Sequence, residues 1–240
     1  MPIDILLTII AVSLAQSIFG VGTLLFGTPI LLLLGYDFID ALGVLLPVSI
    51  AISTLQLIKH HQKVDNIFYK NVLIYSIPLV VIFLAIISTV KISIGLIMGG
   101  LLVLVALKSF SPLIERTLTS IMKHERIYLM VLGLVHGISN LGGSMLTAIV
   151  YAKNYSKDKT RVTGAASYAT LALCQLITLL VMDSTFSISY TDRASFVQVA
   201  IVVFLLTEEL LYNQIASEKY NKLFAIFLFV SGILLIFKSL

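Results

Sequence analysis

The chain has 240 residues, 59% of them hydrophobic and only 12% charged, with a mean hydropathy of +1.06. No water-soluble domain of this size carries that composition, and several apolar runs approach or exceed the roughly 20 residues that cross the hydrocarbon core of a bilayer. The class is a polytopic helical membrane protein, and a net charge of +4 on such a chain gives no pointer to a nucleic-acid partner. Met1-Pro2-Ile3-Asp4 has an acid and no Lys or Arg, so it lacks the basic segment of a cleaved signal peptide and reads as the start of the mature chain. The single cysteine, Cys174, lies in an apolar stretch and cannot pair within the chain.

The first apolar run, residues 3–34, is too long for one simple crossing. It is interrupted by Gln16-Ser17-Ile18-Phe19-Gly20-Val21-Gly22-Thr23 and then by Gly27 and Pro29. Glycine and proline weaken a helix interior, so this pattern predicts two helical pieces joined by an irregular bend. Such a bend survives at membrane depth only where protein or a water-filled cavity encloses it. Spans at about 39–58, 71–87 and 92–107 follow, the first of them ending in the basic loop Lys59-His60-His61-Gln62-Lys63. Residues 110–126 read as a polar cytoplasmic linker.

The second half opens on another broken run, residues 127–152, centred on Val135-His136-Gly137-Ile138-Ser139-Asn140-Leu141-Gly142-Gly143-Ser144-Met145. A basic loop from Lys153 to Arg161 comes next, then spans at about 162–182, 194–209 and 220–237. Gly22 falls opposite Gly142, Gly43 opposite Gly164 and Gln56 opposite Gln175, a nearly constant offset that implies two repeats, residues 1–109 and 127–240.

Lysine and arginine in short loops favour the cytoplasm. With both broken runs as re-entrant hairpins, Lys59, Lys63, Lys70, Lys108, Arg116, Lys123, Arg126, Lys153, Lys157, Lys159, Arg161, Lys219 and Lys222 share the cytoplasmic side, leaving Lys91, Arg193 and Lys238 outside. With both runs crossing, the same charges divide almost evenly. The charges decide only the second hairpin, since no basic residue precedes Lys59, and the first follows by symmetry. The predicted fold is an all-α polytopic membrane protein of two inverted repeats, each one re-entrant (broken) helical hairpin plus three transmembrane helices.

Inverted repeats with discontinuous helices put a binding site near the midplane, where half-helix N-termini present free N–H groups and a positive dipole end. Here those termini fall near Thr23 and Ser144 and suit a small oxyanion. Gly20, Gly22, Gly142 and Gly143 would let a ligand approach the backbone; the alternative is that they only permit close helix packing. Polar residues able to join the cavity are Gln16, Gln56, His136, Ser139, Asn140, Ser144, Thr163, Ser167 and Gln175. His136 is the only histidine predicted within the membrane, either as a proton carrier near neutral pH or as a satisfied hydrogen-bond partner. Arg161 opens a span at the cytoplasmic face, where it would draw anions into a vestibule or snorkel to the interface. Glu208 and Glu209 align with Ser88 and Thr89 at the end of the matching span, which puts them at an interface. Gly95 and Gly99 read as a helix-packing pattern, within the chain or between protomers. No motif of an enzyme, metal centre or cofactor stands out.

Phe19-Gly20-Val21-Gly22-Thr23 with Pro29, and Gly137-Ile138-Ser139-Asn140-Leu141-Gly142-Gly143, resemble the two signatures of the sulfite exporter TauE/SafE family of membrane transporters. The resemblance spans nearly the whole chain. Thr23 and Leu24 stand where that family often has further glycines, and Ile149 where a second proline would echo Pro29. It implies a multi-pass protein of the cell (inner) membrane that exports a small sulfur-containing oxyanion such as sulfite or an organosulfonate. The expected substrate-binding set is Gly20, Gly22, Thr23, Gln56, His136, Asn140, Gly142, Gly143, Ser144 and Gln175, with Arg161 at the vestibule. Membrane lipid and the anion are the expected partners, while proton or sodium coupling and a homodimer stay open. The alternatives are a permease for another solute or metal ion, an intramembrane enzyme, and a scaffold that transports nothing.

Overall fold

A computed structural model describes residues 1–20, 22–89, 94–107, 120, 122–211 and 217–240. The linker expected at 110–126 and the turn around Lys91 fall largely outside these residues.

Helix α1, Ile3–Phe19, ends where Gly20 turns into the left-handed region at φ 72°, its N–H reaching back to the Gln16 carbonyl at 2.8 Å. Helix α2, Thr23–Leu34, then returns. The two form a hairpin whose open end is tied by the Tyr36 hydroxyl donating to Asp4 at 2.7 Å. Helix α3, Phe38–His60, follows. Next come α4, Asn66–Tyr75, and α5, Ile77–Thr89, one rod interrupted at Ser76. Pro78 has no N–H to give the Ile74 carbonyl, and its ring crowds that oxygen, which accounts for the interruption. Asp65 accepts from the N–H groups of Ile67 and Phe68, so the rod starts five residues before the expected 71. Helix α6, Ile94–Leu107, closes the first half.

The second half reuses the plan. Helix α7, Glu125–Ser139, ends where Asn140 takes φ 60° and bonds back to the His136 carbonyl at 2.8 Å, the counterpart of Gly20 on Gln16. Asparagine is the side chain that tolerates this conformation best after glycine. Helix α8, Gly142–Ala152, returns, and Lys153 meets Glu125 at 2.6 Å to tie the open end of this hairpin. Then follow α9, Lys157–Val181, α10, Tyr190–Leu211, and α11, Ser217–Ser239. Among the described residues every regular element is helical.

Packing follows one scheme in both halves. Helix α1 lies on α10 as α7 lies on α5, and α3 lies on α10 as α9 lies on α5. The pairs α3 with α9 and α6 with α11 join the halves. Gly99 sits so close to α11 that an added Cβ would lie 2.7 Å from the Gly232 carbonyl oxygen, and Gly95 faces Ser239. The helix packing expected there lies within the chain: without a hydrophobic drive between helices in lipid, small residues let backbones approach, and here the backbone approached belongs to the same chain.

Among the described residues, four helices are long and apolar enough to cross a membrane: Phe38–Ile58, Asn66–Thr89, Lys157–Val181 and Tyr190–Glu208. Ile82, Val181, Leu205 and Leu206 lie exposed on them, as lipid-facing side chains do.

The loops after α3 and α8 touch. Lys63 meets Asp158 at 2.6 Å, the Asp65 N–H donates to the Thr163 hydroxyl at 3.0 Å, and Tyr155 donates to the Asp65 carboxylate. Burial works to raise the Asp65 carboxyl, but the Tyr155 hydroxyl, two backbone N–H groups and Lys159 together hold it below its ordinary value. Burial, then Asp65 itself, pushes the Tyr155 hydroxyl upward, so Tyr155 stays the donor.

Candidate functional site

The first break gathers its polar groups from three helices. Gln16, one turn before the end of α1, turns its Oε1 to the N–H and the hydroxyl of Thr23, the first residue of α2. It therefore caps the returning half-helix, and one N–H expected to face a ligand is already engaged. Its Nε2 reaches α3, donating to Ser53 Oγ at 3.3 Å and Gln56 Oε1 at 3.4 Å. Gln56 is thereby held by its carbonyl with its amide nitrogen left over. Among the described residues that buried Nε2 has no acceptor, and it lies 3.9 Å from where a Cβ on Gly20 would stand.

Arg161 arrives on the same spot, its Cγ 3.3 Å from that Cβ position. The expectation of a residue at the mouth needs correcting. Ser156 caps α9 and starts it at Lys157, so Arg161 lies one turn inside the helix, its side chain only 11% exposed, with Nη2 2.9 Å from Glu208 Oε1. Glu208 closes the apolar span Tyr190–Glu208, as expected, and lies in the last turn of α10, yet its carboxylate is turned inward and only 6% exposed. Ser17 and Thr207, bonded at 2.8 Å, fix α10 beside the end of α1.

The second break is filled differently. An added Cβ on Gly142 would meet the His136 Cβ at 2.5 Å, and one on Gly143 would strike the Tyr168 hydroxyl. Close packing therefore explains these two glycines, and the returning helix starts at Gly142, ahead of Ser144. The Ser144 hydroxyl is spent on the Leu141 carbonyl at 3.1 Å, and the Gln175 amide donates to the His136 carbonyl at 3.4 Å. The buried His136 ring nitrogens and the oxygens of Gln175 and Asn140 have no hydrogen-bond partner of good geometry among the described residues.

The two breaks do not face each other at one level. The Asn140 amide donates to Thr28 Oγ1 at 2.9 Å, five residues past Thr23, so the tips overlap by about 8 Å at the helical rise of 1.5 Å per residue. Of the expected set, Gly20, Gly22, Thr23 and Gln56 come together with Arg161, whereas His136, Asn140, Gly142, Gly143, Ser144 and Gln175 form a separate cluster joined to the first through Thr28. Thr163 binds the Asp65 loop, and Ser167 and Ser139 bond to carbonyls in their own helices. Ser53, Tyr168 and the Arg161–Glu208 pairing were missed. Ser53 stands three residues before Gln56 on one helix face, a signal the spacing contains.

Fold and site define a polytopic helical membrane protein with two helical hairpins broken inside the protein and a donor-lined first break. The profile of the sulfite exporter TauE/SafE family matches residues 5–235, and the chain belongs to that family. Its members are membrane transporters, which points to sulfite or a similar anion as cargo. No curated protein and no solved structure matches the chain.

Proposed function

We propose that this protein exports sulfite or a related small sulfur oxyanion, such as an organosulfonate, across the cell (inner) membrane by alternating access of two inverted repeats. The anion is held at the first break, against Gly20 and the start of α2. The observation that carries this is the buried Gln56 Nε2, which has no acceptor among the described residues. A buried donor left unsatisfied costs about 1–3 kcal/mol, which an oxyanion, an acceptor with no donor, relieves. The second break offers the oxygens of Asn140 and Gln175 beside the one N–H of the His136 ring, and its glycines are closed by packing, so it suits an anion less well.

Transport is tested with purified protein in liposomes, following sulfite, thiosulfate and methanesulfonate flux. Gln56→Ala removes about one neutral hydrogen bond, roughly 1 kcal/mol, and should weaken sulfite binding about fivefold while Gln175→Ala changes it far less. Equal effects of the two would argue for a site shared between the breaks, and absence of flux for every anion in the unaltered protein would remove the transport reading.

The inverted arrangement is supported by the packing scheme common to both halves and by the contact between the loops after α3 and α8, since loops that touch share one side of the membrane. Cysteines replacing Gln62 and Asn154 should be labelled by an impermeant reagent from the same side. Labelling from opposite sides would turn the second hairpin into a crossing and end the inverted repeat.

A further inference from the structure

Arg161 and Glu208 form a buried ion pair that the repeat itself does not require. At the offset that aligns Gly43 with Gly164, Arg161 corresponds to Asp40, whose carboxylate accepts the Ser187 N–H, and Glu208 falls opposite Ile87. The same helices pack in both halves, yet the pair exists only in the second. A buried pair with this little solvent gains little stability over apolar packing, so its presence beside Gly20 and the unsatisfied Gln56 amide calls for another account.

Resting on the transport reading above, we propose that Glu208 is the proton-coupling carboxylate of this protein, a resident anion that yields Arg161 to the substrate by taking up a proton. In the empty state Arg161 faces the Glu208 carboxylate. A sulfur monoanion arriving at Gly20 meets the Gln56 amide and Arg161, and it takes the guanidinium in place of Glu208. Adding it alone would leave a net negative charge in a dry site, which is expensive. If Glu208 binds one proton from the water on that side, the site remains Arg161 cation, substrate anion and neutral Glu208 acid. Its net charge is the same as before. Release on the other side reverses both events, so one proton travels with each monoanion and the cycle moves no net charge. Other charged groups leave this role to Glu208. Of the elements packed against α10, α1 carries Asp4, which takes the Tyr36 hydroxyl at its far end, and α3 carries Asp40, engaged by Ser187. Helix α3 also ends in Lys59 and His60, and His61 beyond it turns to the Ile58 carbonyl.

The test uses the full chain in liposomes with sulfite, an entrapped pH dye and imposed potassium-valinomycin potentials. The unaltered protein should take up a proton with each hydrogen sulfite ion and should show the same flux at every potential. Glu208→Gln should carry sulfite without that proton, so a potential of about 100 mV should now change the accumulation ratio by roughly fifty-fold. Ionisation of sulfite itself is identical in both preparations, so the difference between them belongs to Glu208. Glu208→Asp, which retains the acid, should restore potential-independent flux. Flux in the unaltered protein that follows the potential overturns the proposal and leaves transport intact, whatever the variants do. Proton-coupled flux in Glu208→Gln overturns it equally, whereas the absence of any anion flux in the unaltered protein would fall on the transport reading first.

Discussion

Removing one charge of the Arg161–Glu208 pair is expected to destabilise the protein by about 3–5 kcal/mol, and removing both is expected to cost far less. Each side chain is almost wholly out of solvent, so Arg161→Met leaves a carboxylate, and Glu208→Leu a guanidinium, with its main opposite charge gone. The Arg161→Met/Glu208→Leu double variant leaves no stranded charge, and apolar groups of similar volume fill the space. Thermal unfolding of the detergent-extracted proteins gives the cycle: two low midpoints for the single variants and a midpoint near the starting value for the double one. The double variant should nevertheless be inactive, because the cation that the substrate would take is gone. Single variants as stable as the parent would mean that the pair is loose and hydrated.

At the two breaks, the same kind of substitution is expected to fail for opposite reasons. Gly142→Ala puts a methyl group 2.5 Å from the His136 Cβ and 3.0 Å from the Leu132 carbonyl oxygen, inside a hairpin with no flexible neighbour to give way. Overpacking of that kind costs about 1–3 kcal/mol or more, so the protein should be recovered poorly and melt early. Gly20→Ala meets Arg161 Cγ at 3.3 Å and the Gln56 amide at 3.9 Å, ordinary or slightly tight contacts. Its left-handed backbone costs an alanine about 1–2 kcal/mol, which the fold should survive. The methyl then occupies the position where the anion is placed, and flux per folded protein should fall by an order of magnitude or more. Normal sulfite flux through Gly20→Ala would put the substrate path elsewhere.

The features legible in the chain alone were those written in composition and in local backbone chemistry. Membrane residence follows from apolar runs, the two breaks from Gly20 and from Asn140 ahead of Gly142 and Gly143, and the family from the residues around those breaks. Gln56 could be singled out because a polar residue in an apolar span must find a partner or a ligand. Tertiary structure alone decided which helix faces meet. Arg161 looked like a boundary residue because its helix start depends on a Ser156 cap, and nothing local says that Glu208, in the last turn of α10, turns its carboxylate inward. Their meeting beside Gly20 requires α9, α10 and α1 to converge, a long-range contact with no periodicity in the chain to announce it. The same holds for the overlapping tips. Helix length sets how far each hairpin reaches, but only the bond from Asn140 to Thr28 fixes how far one passes the other, and so separates a donor-lined break from a filled one.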